Sequence, residues 1–423
     1  MTATTDDTTR IDAAWLHDEA LQAILGFLNR DGERARIVGG AVRNHLFGEE
    51  IGDVDIATTC LPEETVRRAE AAGFRTVPTG IEHGTVMVVA DHHGFEVTTL
   101  REDIETDGRR AVVAFGRDWE HDAHRRDFTV NALYCEADGT IVDLVGGLPD
   151  IENRTIRFIG TADNRIREDY LRILRFFRFF AWYGSGRPDA AGLLACTRLK
   201  DGLAGLSAER IWSEMRKLLS APDPSRTLLW MRQAGVLTQV LPESEKWGID
   251  GLPAYIAAEK ALGWEPDPLA RLMTMIAPRV DRATAVATRW KLSNADKARL
   301  EAWAKGADIG DDCDERELAQ IMYRTARQPV LDQLRLSLAG LRAKAEDDAA
   351  LLEAAARMVR LERFAVQWTK PVFPVSGRDL QAVGHVQGNA LGNLLRELET
   401  RWIDSGFALT REALLEAVDK PSG

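Results

Sequence analysis

The alternation of apolar and polar positions divides the chain into two parts. Between Ile37 and about Val145, short β-rich runs such as GTVMVVA and GFEVTTL alternate with helical stretches and are interrupted by glycine. From Gly146 and Gly147 to Val418, apolar residues recur at spacings of three and four, which is typical of amphipathic helices. The pattern predicts a compact α/β domain followed by an all-helical region.

Proline-containing segments interrupt the helical pattern at residues 221–224, 264–268 and 370–374. Proline ends helices because it lacks the backbone N–H and its ring clashes with the preceding turn. We therefore expect domain boundaries near these segments. A chain of 423 residues is long enough for two to four domains.

Composition narrows the class of protein. The 54 Lys and Arg residues are outnumbered by 66 Asp and Glu residues, and the resulting net charge of −12 argues against general attraction to nucleic acid or an anionic membrane. Four separated cysteines without a CxxC pair argue against a zinc ribbon or a disulfide framework; they are Cys60, Cys135, Cys196 and Cys313. We expect buried thiols in a cytoplasmic protein, because the sequence also lacks a secretory signal or an apolar run of about 18 residues.

The first candidate for chemistry is the segment IVGGAVR. Gly39 and Gly40 form the predicted turn between a strand and a helix over Ala41 to Phe47. Glycine lets the backbone approach a phosphate, the helix N-terminus favours negative charge, and Arg43 adds further donors. An ordinary strand-turn-helix connection explains the segment equally well, and the third glycine of a dinucleotide-binding GxGxxG motif is missing.

The second candidate is the segment IGDVDIATT, in which Asp53 and Asp55 alternate with Val54 and Ile56. On one strand the two carboxylates share a side and lie about 6 to 7 Å apart. Such a pair can hold divalent cations about 3.5–4 Å apart, and its oxygen ligands favour Mg²⁺ or Mn²⁺. A lone DxD is more often a solvated loop, but here it follows GGxxR closely.

Glu96, in the predicted strand GFEVTTL, is a third candidate catalytic carboxylate beside Asp53 and Asp55. Alternation places Glu96 and Thr98 on one side of that strand, where Glu96 either completes a metal site or activates an attacking hydroxyl. A surface glutamate is the alternative. Residues 102–110 predict an exposed turn, which is followed by a strand over residues 111–115.

The segment HRRDFTVNALY carries Arg125, Arg126 and Asp127 immediately before an apolar run. Arginines there can bind triphosphate oxygens in bidentate fashion, and Asp127 can accept a hydrogen bond from a ribose hydroxyl. A surface ion-pair cluster is the alternative. His121 and His124 lie upstream, but no further ligands support a zinc site.

In REDYLRILRFFRFF, Asp169, Arg172, Arg175 and Arg178 are spaced by three on a predicted helix. Steps of three rotate by about 60°, so Asp169 and Arg172 share a face whereas Arg178 points elsewhere. A carboxylate acceptor beside a guanidinium donor complements the Watson–Crick edges of C and A, whereas U and G present the reverse pattern. The alternative is an ordinary helix pair between Glu168 and Arg172.

The motifs GGAVR, DVD, RRDFTVNA and EDYLRILRFFRF, in this order, resemble the class II tRNA nucleotidyltransferase and bacterial poly(A) polymerase family. The resemblance covers residues 37–219 and includes LSAERIWSEM, which is similar to the family's neck-helix motif, with Ser207 as its N-cap. Residues 373–384 resemble the C-terminal motif more weakly, and residues 385–388 replace the usual proline-rich turn.

The resemblance implies a multidomain α+β fold. A polymerase-β-like nucleotidyltransferase head over residues 1–145 would be followed by a helical neck that recognises the base (146–220), a helical body (221–300) and a tRNA-binding helical tail (301–423). The implied activity is template-independent addition of CCA to tRNA from CTP and ATP by two-metal transfer, with Mg²⁺ as cofactor and pyrophosphate released. Residues 101–115 resemble the loop associated with switching to the terminal A.

The same resemblance assigns roles to individual residues. Asp53 and Asp55 match the metal ligands, and Gly40, Arg43, Arg126 and Asp127 match the nucleotide-binding set. Asp169 and Arg172 match the base-reading pair, and Arg175 and Arg178 extend it.

Several alternatives remain at this point. A poly(A) polymerase is disfavoured because PTGIEHGTVMVV is similar to CCA-adding relatives, whereas an enzyme that adds only the terminal A is still open. A non-catalytic RNA-binding scaffold would also use the segment 154–178, where seven arginines outnumber three acidic residues. A nicotinamide dehydrogenase is disfavoured by the incomplete glycine motif.

Overall fold

The structure, a computed structural model, describes residues 9–80, 84–90, 93–107, 110–245, 248–307, 309–310, 312–345, 348–384 and 388–418. The chain divides into two compact units, Met1–Val240 and Leu241–Gly423. The expected α/β part and the helical remainder are both confirmed. The finer division of the helices at residues 220 and 300 stays a prediction.

Seven strands of the first unit form one mixed sheet in the order β3-β4-β5-β2-β1-β8-β9. Their bounds are β1 Ala35–Val38, β2 Asp55–Thr58, β3 Arg75–Gly80, β4 Thr85–Ala90, β5 His93–Thr99, β8 Leu133–Cys135 and β9 Ile141–Asp143. β2 and β5 pair in parallel, with Asp55 opposite Glu96, whereas the other neighbours pair antiparallel. The acidic residues of two motifs therefore meet in the middle of the sheet.

A separate two-stranded sheet consists of β6 (Arg101–Asp107) and β7 (Arg110–Phe115). The strand predicted over residues 111–115 is confirmed. The turn predicted over residues 102–110 is wrong for most of its length, because β6 extends to Asp107. Pairing with the β-forming run AVVAF outweighs the polar composition of the acidic segment.

The helices of the head are α1 (Glu19–Leu28), α2 (Gly40–Phe47), α3 (Pro62–Ala71), α4 (Trp119–His124) and α5 (Gly147–Glu152). Asp18 caps α1 by accepting a hydrogen bond from the Leu21 backbone N–H, and the apolar face of α1 is buried against α3 and β1. The predicted helix after the glycine pair is confirmed as α2, which begins at Gly40.

The rest of the first unit is helical and comprises α6 (Ala162–Glu168), α7 (Leu171–Tyr183), α8 (Ala190–Leu199), α9 (Ala208–Leu219), α10 (Ser225–Gln233) and α11 (Val236–Val240). Helix α7 is apolar on most sides because it packs against α9, α10 and the head. The ring of Phe128 lies 4.9 Å from that of Phe158 and 5.2 Å from that of Phe179. These aromatic contacts join α7 to the segment that carries RRDF.

The second unit contains α12 (Gly251–Leu262), α13 (Pro268–Met273), α14 (Val280–Arg289), α15 (Asn294–Lys305), α16 (Glu315–Arg324), α17 (Arg327–Ala345), α18 (Ala349–Gln367), α19 (Gly377–Ala382), α20 (Asn389–Asp404) and α21 (Arg411–Glu416). Helices α17 and α18 pack against each other, and α12 packs on α17. Arg271 and Glu259 form a fully buried ion pair at 2.6 Å.

Other expectations can be compared directly with the structure. The proline segments at 221–224 and 370–374 lie between helices, the segment at 264–268 ends on the first residue of α13, and all four cysteines are free and buried. Ser207 is the N-cap residue of α9, although its side chain makes no capping hydrogen bond. Of the replaced turn at 385–388, residues 385–387 lie outside the described residues. Among the residues searched, no helix is long and apolar enough to span a membrane.

Candidate active site

A cavity of about 450 Å³ lies between the head sheet and the helices that follow it in the first unit. It brings together three of the four sequence motifs and part of the DVD motif. Its lining consists of Gly39, Gly40, Arg43, Asp55, Arg126, Asp127, Asn131, Asp169, Leu171, Arg172, Arg175, Phe179 and Arg210. All predicted site residues except Asp53, Glu96, Arg125 and Arg178 therefore line one cavity.

The glycine turn forms one wall of the cavity. Gly39 has φ +73° and ψ −115°, a conformation that side chains rarely adopt, and it begins α2 by accepting a hydrogen bond from the Arg43 backbone N–H at 3.0 Å. A Cβ atom on Gly39 would lie 3.7 Å from Arg126 Nη1. The N-terminus of α2 thus opens into the cavity together with two arginines.

Arg43 is held in place by polar partners and aromatic rings. Its guanidinium donates to Asn131 Oδ1 at 2.6 Å, Asn44 Oδ1 at 2.7 Å and Tyr183 OH at 3.0 Å. Its Cζ atom lies 4.6 Å from the centre of the Tyr183 ring. Burial lowers the pKa of Arg43 from its ordinary value, but an arginine remains charged at neutral pH.

The three predicted carboxylates occupy the edge of the cavity and its surroundings. Asp55 is the first residue of β2 and is paired with Glu96 of β5, whereas Asp53 is exposed in the preceding segment. The expectation that Asp53 and Asp55 share a strand is wrong, because β1 ends at Val38, opposite Asp55, where Gly39 turns the chain. The expected orientation of Glu96 with Thr98 is confirmed by the buried alternation of Phe95, Val97 and Thr99 between them.

The electrostatics of Asp55 are unfavourable to its charged form. Burial, and then the negative charges of Glu96 and Asp53, raise the pKa of Asp55 to about 6, against the opposing effect of Arg126. Within the described part of the chain, none of these three carboxylates makes a hydrogen bond or an ion pair. Oxygen donors left without a cation suit a hard divalent metal ion.

The described residues do not by themselves enclose a metal ion. No group of three or more His, Cys, Asp or Glu side chains among those searched is close enough to form a complete cage. The donor set of Asp53 and Asp55 therefore fits an open site, in which substrate oxygens and water would supply the remaining ligands.

Arg126 lies beside the glycine turn and is anchored by Asp122. Asp122 Oδ2 accepts from Arg126 Nη2 at 3.0 Å and from Tyr134 OH at 2.8 Å, and Asp122 Oδ1 accepts from Arg125 Nη2 at 2.6 Å. Burial alone would raise the pKa of Asp122, but Arg126 and Arg125 hold it below its usual range. The first motif arginine thus faces away from the cavity, and the second one lines it.

Asp127 is almost completely buried and fully hydrogen-bonded. Its Oδ1 accepts from the Phe128 backbone N–H and from Asn131 Nδ2, both at 2.9 Å, and its Oδ2 accepts from Arg175 Nε at 2.7 Å. Burial would raise the pKa of Asp127, but Arg175 and these hydrogen bonds lower it overall. The pair of Asp127 and Arg175 fixes α7 to the RRDF segment.

Asp169 and Arg172 lie together at the cavity, but not on one continuous helix. α6 ends at Glu168, Asp169 is extended with φ −156°, and α7 begins at Leu171. Asp169 Oδ1 accepts from the Leu171 backbone N–H at 3.1 Å, so the carboxylate stabilises the start of α7. The expectation of a single helix through Asp169 is therefore wrong, although both side chains line the cavity.

Each member of this pair has a further charged partner, which is Arg210 in the cavity lining for Asp169 and Glu168 outside the lining for Arg172. Arg210 of α9 donates from Nη2 to Asp169 Oδ2 at 2.6 Å, and Arg172 Nη1 donates to Glu168 Oε2 at 2.5 Å. The alternative pairing of Glu168 with Arg172 is thus observed, and it coexists with the placement of Arg172 in the cavity lining.

Arg178 points away from the cavity, as the helical rotation predicts. Its Nε lies 2.7 Å from Glu214 Oε2 of α9 without hydrogen-bond alignment, and its Cζ lies 4.4 Å from the Phe179 ring centre. Arg175 lies 3.9 Å from the same carboxylate. Glu214 thus balances the two arginines from the neighbouring helix.

The arginine-rich segment at 154–178 is far less basic than its sequence count indicates. Six of its seven arginines contact carboxylates, and three of the five carboxylates come from outside the segment. The pairs are Arg157 with Asp150, Arg165 and Arg172 with Glu168, Arg167 with Asp163, Arg175 with Asp127 and Arg178 with Glu214. These ion pairs offset much of the positive charge of the segment, and its role in RNA binding stays a prediction.

Sequence reasoning missed four lining residues, namely Asn131, Leu171, Phe179 and Arg210. Asn131 lies in the motif RRDFTVNA, four residues after its partner Asp127, whereas Arg210 lies in LSAERIWSEM and its partner Asp169 is 41 residues away. Polar residues inside a motif that is otherwise apolar are the signal that could have found them.

The chain is similar to known protein families and to individual proteins. Residues 35–157 match the family model of the poly A polymerase head domain, and residues 191–247 match that of the probable RNA and SrmB-binding site of polymerase A. The mouse protein named CCA tRNA nucleotidyltransferase 1, mitochondrial, is 32% identical over 96% of this chain and 91% of its own length. The chain belongs to the CCA-adding tRNA nucleotidyltransferase family.

Bacterial members of the family are equally similar. The CCA-adding enzyme of Levilactobacillus brevis is 33% identical over 95% of this chain and 97% of its own. The crystal structure of the Bacillus stearothermophilus CCA-adding enzyme in complex with CTP is 28% identical, with a TM-score of 0.68, and covers 91% of this chain and 92% of the other. The fold is thus shared with this bacterial enzyme.

Proposed function

We propose that this protein adds CCA to the 3′ end of tRNA without a template, using CTP and ATP and releasing pyrophosphate. The observation that carries the proposal is the cavity, in which the glycine turn, Asp55, the RRDF residues and the pair of Asp169 and Arg172 meet. Relatives named for this activity match along almost the whole chain, which supports the same reaction here.

We infer that Asp53 and Asp55 hold Mg²⁺, with Glu96 as the third candidate carboxylate. Bound there, the ion would stabilise charge on the reacting oxygens of the tRNA hydroxyl and the nucleotide. Burial, and then the neighbouring carboxylates, raise the pKa of Asp55 to about 6, and this supports the role because a bound divalent cation would favour the charged carboxylate against both effects. A substituted Asp55 is accordingly expected to lose activity rather than tRNA affinity.

The triphosphate would lie against the N-terminus of α2, with Gly40, Arg43 and Arg126 around it. Backbone N–H groups at this N-terminus and the two guanidinium groups supply donors to phosphate oxygens. Asn131 and Asp127 lie beside them and would orient the ribose. Arg175 neutralises Asp127 and keeps its carboxylate in position.

Asp169 and Arg172 would select the base. A carboxylate accepts a hydrogen bond from the exocyclic amino group of C or A, and a guanidinium donates to the adjacent ring nitrogen. Uracil and guanine offer a carbonyl and a ring N–H at these positions, so both contacts would be repulsive. One pair of side chains thereby accounts for the use of CTP and ATP together.

The test supplies purified protein and Mg²⁺ with three tRNAs that end before CCA, after C and after CC. Each labelled nucleotide is added separately and in combination, and product length is the readout. Growth that stops at CCA supports the proposal, whereas addition of A only to the tRNA ending in CC indicates an A-adding enzyme. Long A tails indicate a poly(A) polymerase, and no incorporation by folded protein indicates a binding scaffold.

The compartment is a separate proposal. The four cysteines are free and buried, which is in keeping with a reducing compartment such as the cytoplasm. Microscopy of the full-length tagged protein in its own cells tests this, and a signal confined to an organelle or to the cell exterior would contradict it.

A further inference from the structure

Arg165 lies behind the cavity, at the junction between the RRDF segment and the break between α6 and α7. It is 8% exposed, and its guanidinium donates from Nη2 to the backbone carbonyl oxygens of Arg125 and, at 2.5 Å, of Arg126. These carbonyls follow the end of α4, where helical geometry leaves acceptors without partners. Arg165 thus hydrogen-bonds to the backbone of the segment that contains the cavity residue Arg126.

The same guanidinium reaches the base-reading side of the cavity through Glu168. Arg165 Nη1 donates to Glu168 Oε2, and Arg172 Nη1 donates to this same oxygen at 2.5 Å. Arg172 Nη1 also donates to the backbone oxygen of Arg165 at 2.8 Å. A continuous set of hydrogen bonds therefore runs from the backbone of Arg126, through Arg165 and Glu168, to Arg172.

We propose that Arg165 is a positioning residue for base selection, which sets the orientation of Arg172 relative to the nucleotide-binding arginine Arg126. The proposal rests on the proposed function. Arg165 does not line the cavity, so it would act only through Glu168 and the backbone at residues 125–126.

The chemistry of the guanidinium explains why this position requires arginine. One terminal nitrogen of the planar guanidinium donates to two backbone carbonyls, and the other donates to a carboxylate. A lysine side chain is shorter and ends in a single compact ammonium group, so it would not make the same set of contacts. Its Nε is buried without a hydrogen-bond partner among the described residues. Burying a charged guanidinium with one unpaired N–H costs free energy of folding. This cost is consistent with an arginine that is retained because it links the backbone at residues 125–126 to Glu168.

Base selection is the property that this linkage would control. The contacts of Arg172 with a base edge depend on small displacements, because a hydrogen bond weakens steeply when its geometry is distorted. If Glu168 no longer holds Arg172 in register with Arg126, a base bound above the triphosphate meets a misplaced donor. Correct and incorrect bases are then distinguished less well, while the phosphates are still bound by Arg43 and Arg126.

The test compares Arg165→Lys, Glu168→Gln and the double variant with the unchanged protein on tRNAs ending before CCA and after CC. The control is Arg167→Lys, on the same helix, since the Arg167 side chain is 56% exposed and its Asp163 contact is 4.0 Å long. Single-turnover kcat/KM is measured for CTP, UTP, ATP and GTP, and nucleotide binding and melting temperature are recorded for each variant.

We expect Arg165→Lys and Glu168→Gln each to lower the ratio of kcat/KM for CTP over UTP, and for ATP over GTP, by about tenfold or more. The double variant should lose no more than the larger single effect, because both substitutions interrupt one linkage. Arg167→Lys should leave the ratios unchanged.

Equal losses for all four nucleotides would indicate a merely structural role and would overturn the proposal. So would unchanged ratios, or fully additive losses in the double variant. Glu168→Gln carries the test if Arg165→Lys fails to fold, because the Glu168 side chain is 34% exposed. If the unchanged protein incorporates no nucleotide, the proposed function itself fails; altered kinetics in the variants alone bear only on Arg165.

Discussion

At the scale of single residues, the site is built from charges that constrain one another. Asp127, Asp169 and Glu168 are each held by an arginine, so the side chains facing the cavity have little freedom before a nucleotide arrives. Asp55 differs, because its charged neighbours are other carboxylates and its pKa is raised. The carboxylates that are paired with arginines therefore stabilise the fold, whereas the charged form of Asp55 destabilises it.

Replacement of Asp55 by Asn should stabilise the protein while abolishing nucleotide transfer. A group whose pKa is about 6 in the folded state, against 3.8 ordinarily, favours folding at low pH and loses that contribution as pH rises through 6. Above pH 7, without divalent metal, the neutral amide should add on the order of 1–2 kcal/mol after allowance for solvent screening.

Thermal unfolding in a chelator at pH 7.5, together with CCA addition, measures both effects. Asp53→Asn is the matched comparison, since Asp53 is exposed and should give a smaller rise in melting temperature with a similar loss of activity of at least ~10²-fold. A lower melting temperature for Asp55→Asn than for the unchanged protein would contradict the prediction.

Arg210→Met should weaken base selection through Asp169. The substitution removes the donor at 2.6 Å from Asp169 Oδ2 and leaves a partly buried carboxylate without its cation. We expect UTP and GTP to be incorporated more readily, with kcat/KM for CTP lowered about tenfold. Arg216→Met on the exposed side of the same helix is the control, and identical selectivity in both variants would refute the role of Arg210.

Most of the site was accessible from sequence because each motif is local. The glycine turn, Asp55 and two arginines of α7, Arg172 and Arg175, each follow from spacing within a dozen residues, and they do line one cavity. What spacing could not predict is which distant acid pairs with each arginine. The pairs of Asp127 with Arg175, Glu214 with Arg178 and Asp169 with Arg210 depend on tertiary packing.

At the scale of elements, the decisive features are the ends of strands and helices. β1 stops at Val38 because Gly39 turns the chain, and this single turn leaves Asp53 outside β2 while it opens the N-terminus of α2 into the cavity. Similarly, the break at Asp169 separates α6 from α7 where sequence periodicity predicts one helix. The spacing of apolar residues does not reveal such a break, because the Asp169 side chain hydrogen-bonds to the first turn of α7 and the apolar pattern continues through it.

Gly39→Ala should impair both stability and nucleotide binding. An alanine at φ +73° and ψ −115° is strained by about 1–3 kcal/mol, and relief of that strain would rotate the first N–H groups of α2 away from the cavity. Gly48→Ala at the other end of α2 is a matched control, since Gly48 also has φ +73° but lies in open space.

Denaturant unfolding and equilibrium binding of CTP compare the two variants. Both should be destabilised, Gly48→Ala by about 1 kcal/mol, but only Gly39→Ala should bind CTP more weakly. Equal CTP affinity in the two variants would show that the glycine turn serves the fold alone.

At the scale of the whole molecule, the excess negative charge is compatible with a site for anions because the local charge of the cavity differs from the net charge of the chain. The protein carries −12 overall, yet its cavity is lined by Arg43, Arg126, Arg172, Arg175 and Arg210. Of the acids that pair with these arginines, Asp127 and Asp169 also line the cavity, whereas Asp122 and Glu168 do not. The count of charges within residues 154–178 overstated the positive charge of this segment. Asp127, Asp150 and Glu214 lie outside the segment in sequence but pair with its arginines.

Acid should destabilise the first unit through Asp122 and Asp127. Their pKa values are lowered in the folded state, so their contribution is fully present above the ordinary value of 3.8 and is lost as pH falls through the lowered values. Melting temperature between pH 7 and 3 should therefore fall steeply at the acidic end. An Asp122→Asn variant should be less stable at neutral pH and should show a shallower fall, and an identical fall in both proteins would contradict this assignment.

The parallel pairing of β2 with β5 has a consequence for the order in which the protein assembles. Asp55 and Glu96 come together across a connection that contains α3, β3 and β4, whereas β4 and β5 are neighbours in the chain and pair directly. Contacts between distant residues form late in folding, since closing a long loop costs entropy before any contact compensates for it. The pair of Asp55 and Glu96 therefore forms only when the sheet closes, so a nascent chain does not bring the two carboxylates together until the whole of β5 has left the ribosome.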